Sequence, residues 1–286
     1  MRVILVPVAD RPECAVALET AFGLAESLSA NVIGCHVRPH REEKHSPPSS
    51  RLAMMLEDGT LPKLSAETVR LNSKNARKLF EGMAAQRDIS MAKTPRHEDN
   101  PLAYWNEMVG HPEKVLGIVG PVADCIVVSR AKPKGRGPAR AFMLAALLDT
   151  GKPLLVLPQM KLPSIGKRIL IGWDQGVRVA AAMTAALPLL KRAEQVHIVC
   201  CGGETEPGPK TSQAQGYLRH WGIESQIHRE KGRDAPGELI DVYERTDADL
   251  LVMGAYSRSR LHERVLGGVT HEILFKSRLP VFALHE

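Results

Sequence analysis

Aromatic residues make up only 4% of this 286-residue chain, so its cores must be built from aliphatic side chains. The same scarcity argues against a nucleic-acid surface, which would need aromatic platforms for stacking bases. Charge of one sign is also missing. The net charge of +6 comes from 38 Lys and Arg scattered among 32 Asp and Glu, which permits anionic ligands without implying DNA. No uninterrupted apolar run is long enough to span a bilayer, and Met1 leads directly into a strand pattern rather than a signal peptide. The expectation is a protein with no membrane and no nucleic-acid partner. The five cysteines, at 14, 35, 125, 200 and 201, contain no CxxC pair. This usage suggests reduced, mostly buried thiols in a cytoplasmic protein.

Catalytic signatures are equally scarce. The chain carries no GxGxxG dinucleotide fingerprint, no GxxxxGK[ST] phosphate loop and no GxSxG nucleophile elbow. His262 and His271 are nine apart, about half a turn out of phase on a helix, and His36 and His40 straddle Pro39 at a strand end. Neither spacing makes a metal pair.

What is present is an alternation of strands and helices that runs twice. Residues 2–8 (RVILVPV) and 168–173 (RILIGW) read as first strands, each followed by a polar turn and a helix, roughly 12–29 in the first case and to about Leu190 in the second. Asn31–Val37 and Gln195–Cys201 read as second strands. Later, Ala123-Asp124 and Ala248-Asp249 each precede an apolar strand, and Pro153 and Pro280 each lead a final one. Four landmarks in the same order make an internal duplication with a period near half the chain, too long for a solenoid and right for two domains. The Pro- and Gly-containing stretch 158–167 reads as the linker. The fold expected is α/β: two tandem doubly wound parallel-sheet domains, spanning 1–158 and 167–286. Residues 40–63 read as a long polar excursion, and 65–87 as an amphipathic helix with Val69, Ala76, Leu79, Phe80 and Met83 inward.

Ligands of such sheets sit beyond the carboxyl ends of the strands at a topological switch point, here where Asp174 and Gly254 follow or end their strands. Residues 248–284 have the shape this requires. The strand Leu250–Met253 ends on Gly254, a loop with Arg258, Arg260 and Arg264 follows, and Gly267-Gly268 precede Val269, Ile273 and Leu274 at helical spacing. Glycines admit close approach of backbone to ligand, and free N–H groups at a helix start favour anions. Without further information an ordinary strand–helix crossover with glycines at its turns explains the pattern about as well. Asp174 has a similar alternative, as N-cap of the helix beginning at Val177.

The spacing Gly254, two residues, Ser257, nine residues, Gly267-Gly268, with "DADLLVMG" before it and "LPVFAL" at its end, resembles the nucleotide loop of the universal stress protein family. In that family the loop reads Gly, two residues, Gly, nine residues, Gly, then Ser or Thr. Ser257 and Gly268 are the departures. The resemblance covers 167–286 strongly and 1–160 in outline, where Ala9, Ser129 and Arg140-Ala141 replace Asp174, Gly254 and the glycine pair. It implies a universal stress protein fold of the adenine-nucleotide alpha-hydrolase-like type. The two domains would be packed as an intramolecular pseudo-dimer, with a homodimer as a further option.

The resemblance also implies roles. Asp174 would hold the ribose, the backbone of Cys201 would meet adenine, and Gly254, Gly267, Gly268, Val269 and Thr270 would surround the phosphates of ATP or a related adenine nucleotide. Ser257 would offer a hydroxyl there. Mg²⁺ would accompany only the nucleotide. The HxGH pattern of related nucleotidyltransferases and the Ser-Gly-Gly loop of ATP pyrophosphatases are absent. The function expected is a stress-response module that binds an adenine nucleotide without catalysis. A nucleotide-free scaffold and a slow ATP hydrolase are the alternatives.

Overall fold

The computed structural model describes residues 1–39, 65–131, 138–205, 207–256 and 268–285. The excursion 40–63 and most of the basic loop 131–138 lie outside them, as do His262 and the loop arginines. The chain divides into two compact units, Met1–Met160 and Lys161–Glu286.

In the first unit the elements are β1 (Val3–Pro7), α1 (Pro12–Leu28), β2 (Asn31–Arg38), α2 (Ala66–Ala85), β3 (Ser90–Met91), β4 (Leu102–Val109), α3 (Pro112–Val119), β5 (Cys125–Ser129), α4 (Pro138–Leu148) and β6 (Leu154–Leu157). The strands lie in the order β3-β4-β2-β1-β5-β6, all pairs parallel. The second unit contains β7 (Arg168–Gly172), α5 (Val177–Ala185), α6 (Leu187–Leu190), β8 (Gln195–Cys201), α7 (Thr211–His220), β9 (Gln226–Glu230), α8 (Ala235–Arg245), β10 (Leu250–Gly254), α9 (Val269–His271) and β11 (Val281–Leu284). A π-helical turn, Glu272–Lys276, continues α9. The order here is β9-β8-β7-β10-β11, again parallel. Apart from the two-residue β3, the second order is the first with each strand replaced by its counterpart.

Runs such as LLVL in β6 and VFAL in β11 are buried along their whole length, as expected of parallel strands covered by helices on both faces. Helix α1 starts on Pro12, buries Ala17, Leu18, Ala21, Phe22 and Ala25, and stops where Ser29 turns left-handed (φ 49°). Helix α2 buries a narrower stripe than its sequence suggests: Ala76, Phe80 and Ala84 are inside, while Val69, Leu79 and Met83 are half-buried. Phe80 explains Gly34 on β2, because a Cβ there would lie 2.6 Å from the ring.

The repeated Ala-Asp landmark has a physical reason. Asp124 accepts hydrogen bonds from the backbone N–H groups of Arg2 and Val3, at 2.5 and 3.0 Å, just as β1 begins. Asp249 does the same before β7, taking the N–H groups of Gly166, Lys167 and Arg168 at 2.9, 3.1 and 3.0 Å and the Ser164 hydroxyl at 2.7 Å. In each unit one carboxylate ties the start of the first strand to the start of its neighbour.

Candidate functional site

Strand β7 is flanked by β8, the next strand in the chain, and by β10, which arrives only after β8 and β9 have been laid down on the other side. The chain reverses its direction of winding between β7 and β10, so the switch point lies at their carboxyl ends. Met253 is in register with Gly172, which sets Gly254 one step past it, beside the Trp173-Asp174 turn. Cys201 ends β8 on the other side of β7.

Asp174 is exposed. Its Oδ1 accepts from the N–H of Gly176 at 2.9 Å, and Gly176, not Asp174, is the N-cap of α5. The aspartate therefore closes a local turn. Its second oxygen accepts no hydrogen bond among the described residues. Gly254 is required for packing: a Cβ on it would stand 2.9 Å from the backbone N of Val179 and 3.0 Å from Cβ of Arg178. Strand end and first turn of α5 thus touch backbone to backbone. Beyond Gly254, Tyr256 takes a left-handed conformation (φ 50°) and donates its N–H to Oγ1 of Thr270 at 3.3 Å. This bond brings the start of the Val269–Lys276 helical segment back to the end of β10.

Gly268 has φ 118° and ψ 177°, a region open essentially only to glycine. Gly268→Ser, which would restore the hydroxyl residue of the family pattern, should therefore cost about 2 kcal/mol of stability. Chemical denaturation of Gly268→Ser and Gly268→Ala checks this. Equal losses are expected in both, and an unchanged midpoint would mean that the backbone readily accommodates a side chain. Ser257 and Gly267 lie outside the described residues.

The thiol of Cys201 is pushed up to about 12 by burial and by the nearby Glu238, Cys200 and Glu230. It stays protonated at neutral pH and supplies no nucleophile. Past it, Gly202 (φ 101°) crosses Gly232 (φ 73°) so closely that a Cβ on Gly232 would lie 2.5 Å from Cα of Gly202.

The residues that sequence reasoning missed lie in the loop 202–210. Trp173, buried at the strand end, donates its indole N–H to the carbonyl of Pro209 at 2.8 Å. Lys210 donates to Oε1 of Gln175 at 3.0 Å and to the carbonyl of Glu204. The Glu204 carboxylate takes the Thr211 N–H, which together with the Thr211 hydroxyl holds its pKa below the usual carboxylate range. These contacts fasten the loop onto the turn that carries Asp174. The only sequence signal for it was the run of Gly and Pro between Gly202 and Pro209.

At the corresponding end of the first unit the polar groups are bonded differently. Asp10, just past β1, accepts from Nδ2 of Asn75 on α2 at 2.8 Å. Ser129, in the place of Gly254, donates its hydroxyl to the carbonyl of Glu13 in the first turn of α1. Among the described residues no three His, Cys, Asp or Glu are grouped to hold a metal, and no helix is long and apolar enough to cross a membrane.

A family model described as the universal stress protein family matches residues 203–285. That segment belongs to the universal stress protein family. It contains Gly254 and Gly268–Thr270; Asp174 and Cys201 precede it. A universal stress protein of Mycobacterium tuberculosis is 34% identical over 71 residues, 24% of each chain. One from Mycolicibacterium smegmatis is 31% identical over 70 residues, 24% of this chain and 54% of that one. The match thus spans about a quarter of the length of the first of these relatives and about half of the second. A universal stress protein structure from Archaeoglobus fulgidus covers 99% of this chain and 98% of its own, with a TM-score of 0.66 at 16% identity. A structure of a putative universal stress protein from Pseudomonas aeruginosa covers 100% and 93%, with a TM-score of 0.57 at 15% identity. The tandem α/β fold is therefore that of solved universal stress proteins over the whole chain.

Proposed function

We propose that this chain is a stress-response module that binds one adenine nucleotide, ATP in the first instance, in its C-terminal unit and catalyses no reaction on it. The observation that carries the reading is the switch point between β7 and β10. There an exposed carboxylate, Asp174, stands beside a strand end, Gly254, that leads through Tyr256 and Thr270 to a helix start. Family membership of 203–285 supports the same reading.

The residues fit such a ligand. The exposed oxygen of Asp174 can accept from ribose hydroxyls. The first N–H groups of the helical segment after Gly268 have no intrahelical acceptor and suit an anion. Backbone at the end of β8, around Cys201, would line the base. ATP would bring its own Mg²⁺, held by phosphate oxygens and water. In the first unit Ala9 stands in the place of Asp174, and Ser129, bonded to the Glu13 carbonyl, in the place of Gly254, so a second nucleotide would lack both contacts. A cytoplasmic location goes with this reading.

Calorimetric titration with ATP and Mg²⁺ tests it. The expected stoichiometry is near one per chain. Asp174→Ala should weaken binding about tenfold, the worth of roughly one good hydrogen bond. Gly267→Val should weaken it further and Ser257→Gly should leave it equal or tighter. Two sites per chain, or unchanged affinity in Asp174→Ala, would overturn the assignment; no heat in any variant would favour a nucleotide-free scaffold.

A further inference from the structure

His197 on β8 and His228 on β9 face each other across neighbouring parallel strands. Nδ1 of His197 lies 3.1 Å from Nε2 of His228, with ring centroids 5.2 Å apart. His197 is only 4% exposed, and its Nε2 has no hydrogen-bond partner among the described residues. Among the described residues β9 is the outermost strand of its unit, held in the ladder by β8 alone. We propose that this histidine pair is an acid-sensitive latch, fastening the edge strand β9 to β8 at neutral pH and releasing it on acidification.

The proton count carries the argument. One N–H···N bond between two rings requires one nitrogen to donate and the other to keep its lone pair. Two neutral imidazoles meet that requirement in either tautomer. A first added proton must go to an outer nitrogen and puts a charge into the contact. If the outer nitrogen is Nε2 of His197, that charge brings a buried N–H with nothing to receive it. A second proton leaves two donors pointing at each other at 3.1 Å, and the bond is gone. The released state has no such limit, since both rings in water take up a proton in the ordinary way.

The surroundings do not offset the charge. On the face that carries both histidines, α8 packs with Arg245, whose guanidinium is already joined to Glu230 of β9 at 2.6 Å. The arginine opposes a proton on His228 and the glutamate favours one. From β7, the register partner of His197 is the apolar Leu170. Helix α7 packs on the other face, where Arg229 meets Thr211. Burial, and for His197 the neighbouring ring, lower the affinity of both histidines for protons. The sign follows. Folded-state pKa values below the unfolded one give a stabilisation that is present above about pH 6.5 and is lost as pH falls from there through the lower folded-state values. Between pH 7.5 and 5.5 the release equilibrium should shift roughly tenfold if the closed pair accepts one proton and about a hundredfold if it accepts none.

Amide hydrogen exchange on the full chain tests the latch independently of nucleotide binding. Protection factors of Ile227–Glu230, corrected for the intrinsic pH dependence of exchange, should fall ten- to a hundredfold from pH 7.5 to 5.5, while those of β10 change little. In the double variant His197→Gln/His228→Gln this extra pH dependence should vanish. A wild-type histidine ring titration followed by NMR needs no variant, and the pair should not take up its second proton until β9 loses protection. Protection of β9 that does not depend on pH, the same pH dependence in the double variant, or both rings protonated with β9 still closed would each overturn the proposal.

Discussion

Asp249→Ala should lower the stability of the C-terminal unit by about 3–4 kcal/mol, more than most single substitutions. The carboxylate is 9% exposed and takes three backbone N–H groups and one hydroxyl, all between Ser164 and Arg168. A hydrogen bond to a charged acceptor contributes roughly 1.5–3 kcal/mol, and the donors left behind carry a further desolvation cost wherever water cannot reach them. The full sum of four such bonds overstates the loss, because freed donors near the linker can turn to solvent. Urea unfolding of the whole chain measures it. Asp249→Asn is the informative control: it keeps an acceptor of the same shape but also presents N–H groups to N–H groups. It should recover less than half of the loss. Asp124→Ala, with an exposed carboxylate and two donors, should cost clearly less. Equal effects of the two alanine variants would mean that neither carboxylate works as described.

Gly232→Ala should be nearly as damaging, at roughly 3 kcal/mol. Two penalties coincide there. A left-handed residue outside its usual turn costs about 1–3 kcal/mol, and forcing an extra carbon into filled space adds about 1–3 more. The atoms that a Cβ would meet are Cα and N of Gly202 and the carbonyl carbon of Cys201, at 2.5, 2.7 and 3.1 Å. All belong to the backbone, so no side chain can rotate aside. The loop is also pinned from below, since Glu238 accepts from the N–H groups of Gly232 and Arg233 at 2.7 and 3.1 Å. Gly222→Ala is the matched comparison, with φ 72° but nothing within 4 Å of its Cβ. It carries the strain without the collision and should lose about half as much. Denaturation midpoints that fail to separate the two glycines would remove the collision from the account.

These two residues show what could be read in the sequence and what could not. Apolar runs bounded by turns located β1, β2, β7, β8, β10 and β11 to within about a residue, because buried parallel strands leave a continuous hydrophobic signature. The Ala-Asp repeat was visible as a landmark. Its purpose was not, because the partners of Asp249 lie 81 to 85 residues away and become neighbours only when β7 and β10 pair. Strand β4 (LAYWNEMV) and β9 (QIHRE) gave weaker signals, mixing polar and apolar residues at the outer side of each sheet. At the candidate site, the placing of Asp174 and Gly254 at adjacent strand ends follows from topology and could be anticipated. That Gly254 is small because α5 presses against it, and that Asp174 folds back onto Gly176, could not. The lock formed by Trp173, Gln175, Glu204, Pro209 and Lys210 joins a strand end to a loop farther along the chain, a pairing that the sequence does not show.

The two-residue strand β3 has a bearing on solubility. It pairs with β4 only through Ser90–Leu102 and Met91–Ala103, followed by the bond from the Ala92 N–H to the Ala103 carbonyl. That is the apolar beginning of LAYWNEMV, the part of the strand with the strongest tendency to recruit a strand from another molecule. Farther along, Glu107 pairs with Arg38 and accepts from the Ser73 hydroxyl, so the part of the edge left uncovered among the described residues carries charge as well as the exposed Val109. A few residues of backbone thus act as a guard against edge-to-edge aggregation at the point where sequence alone offers none.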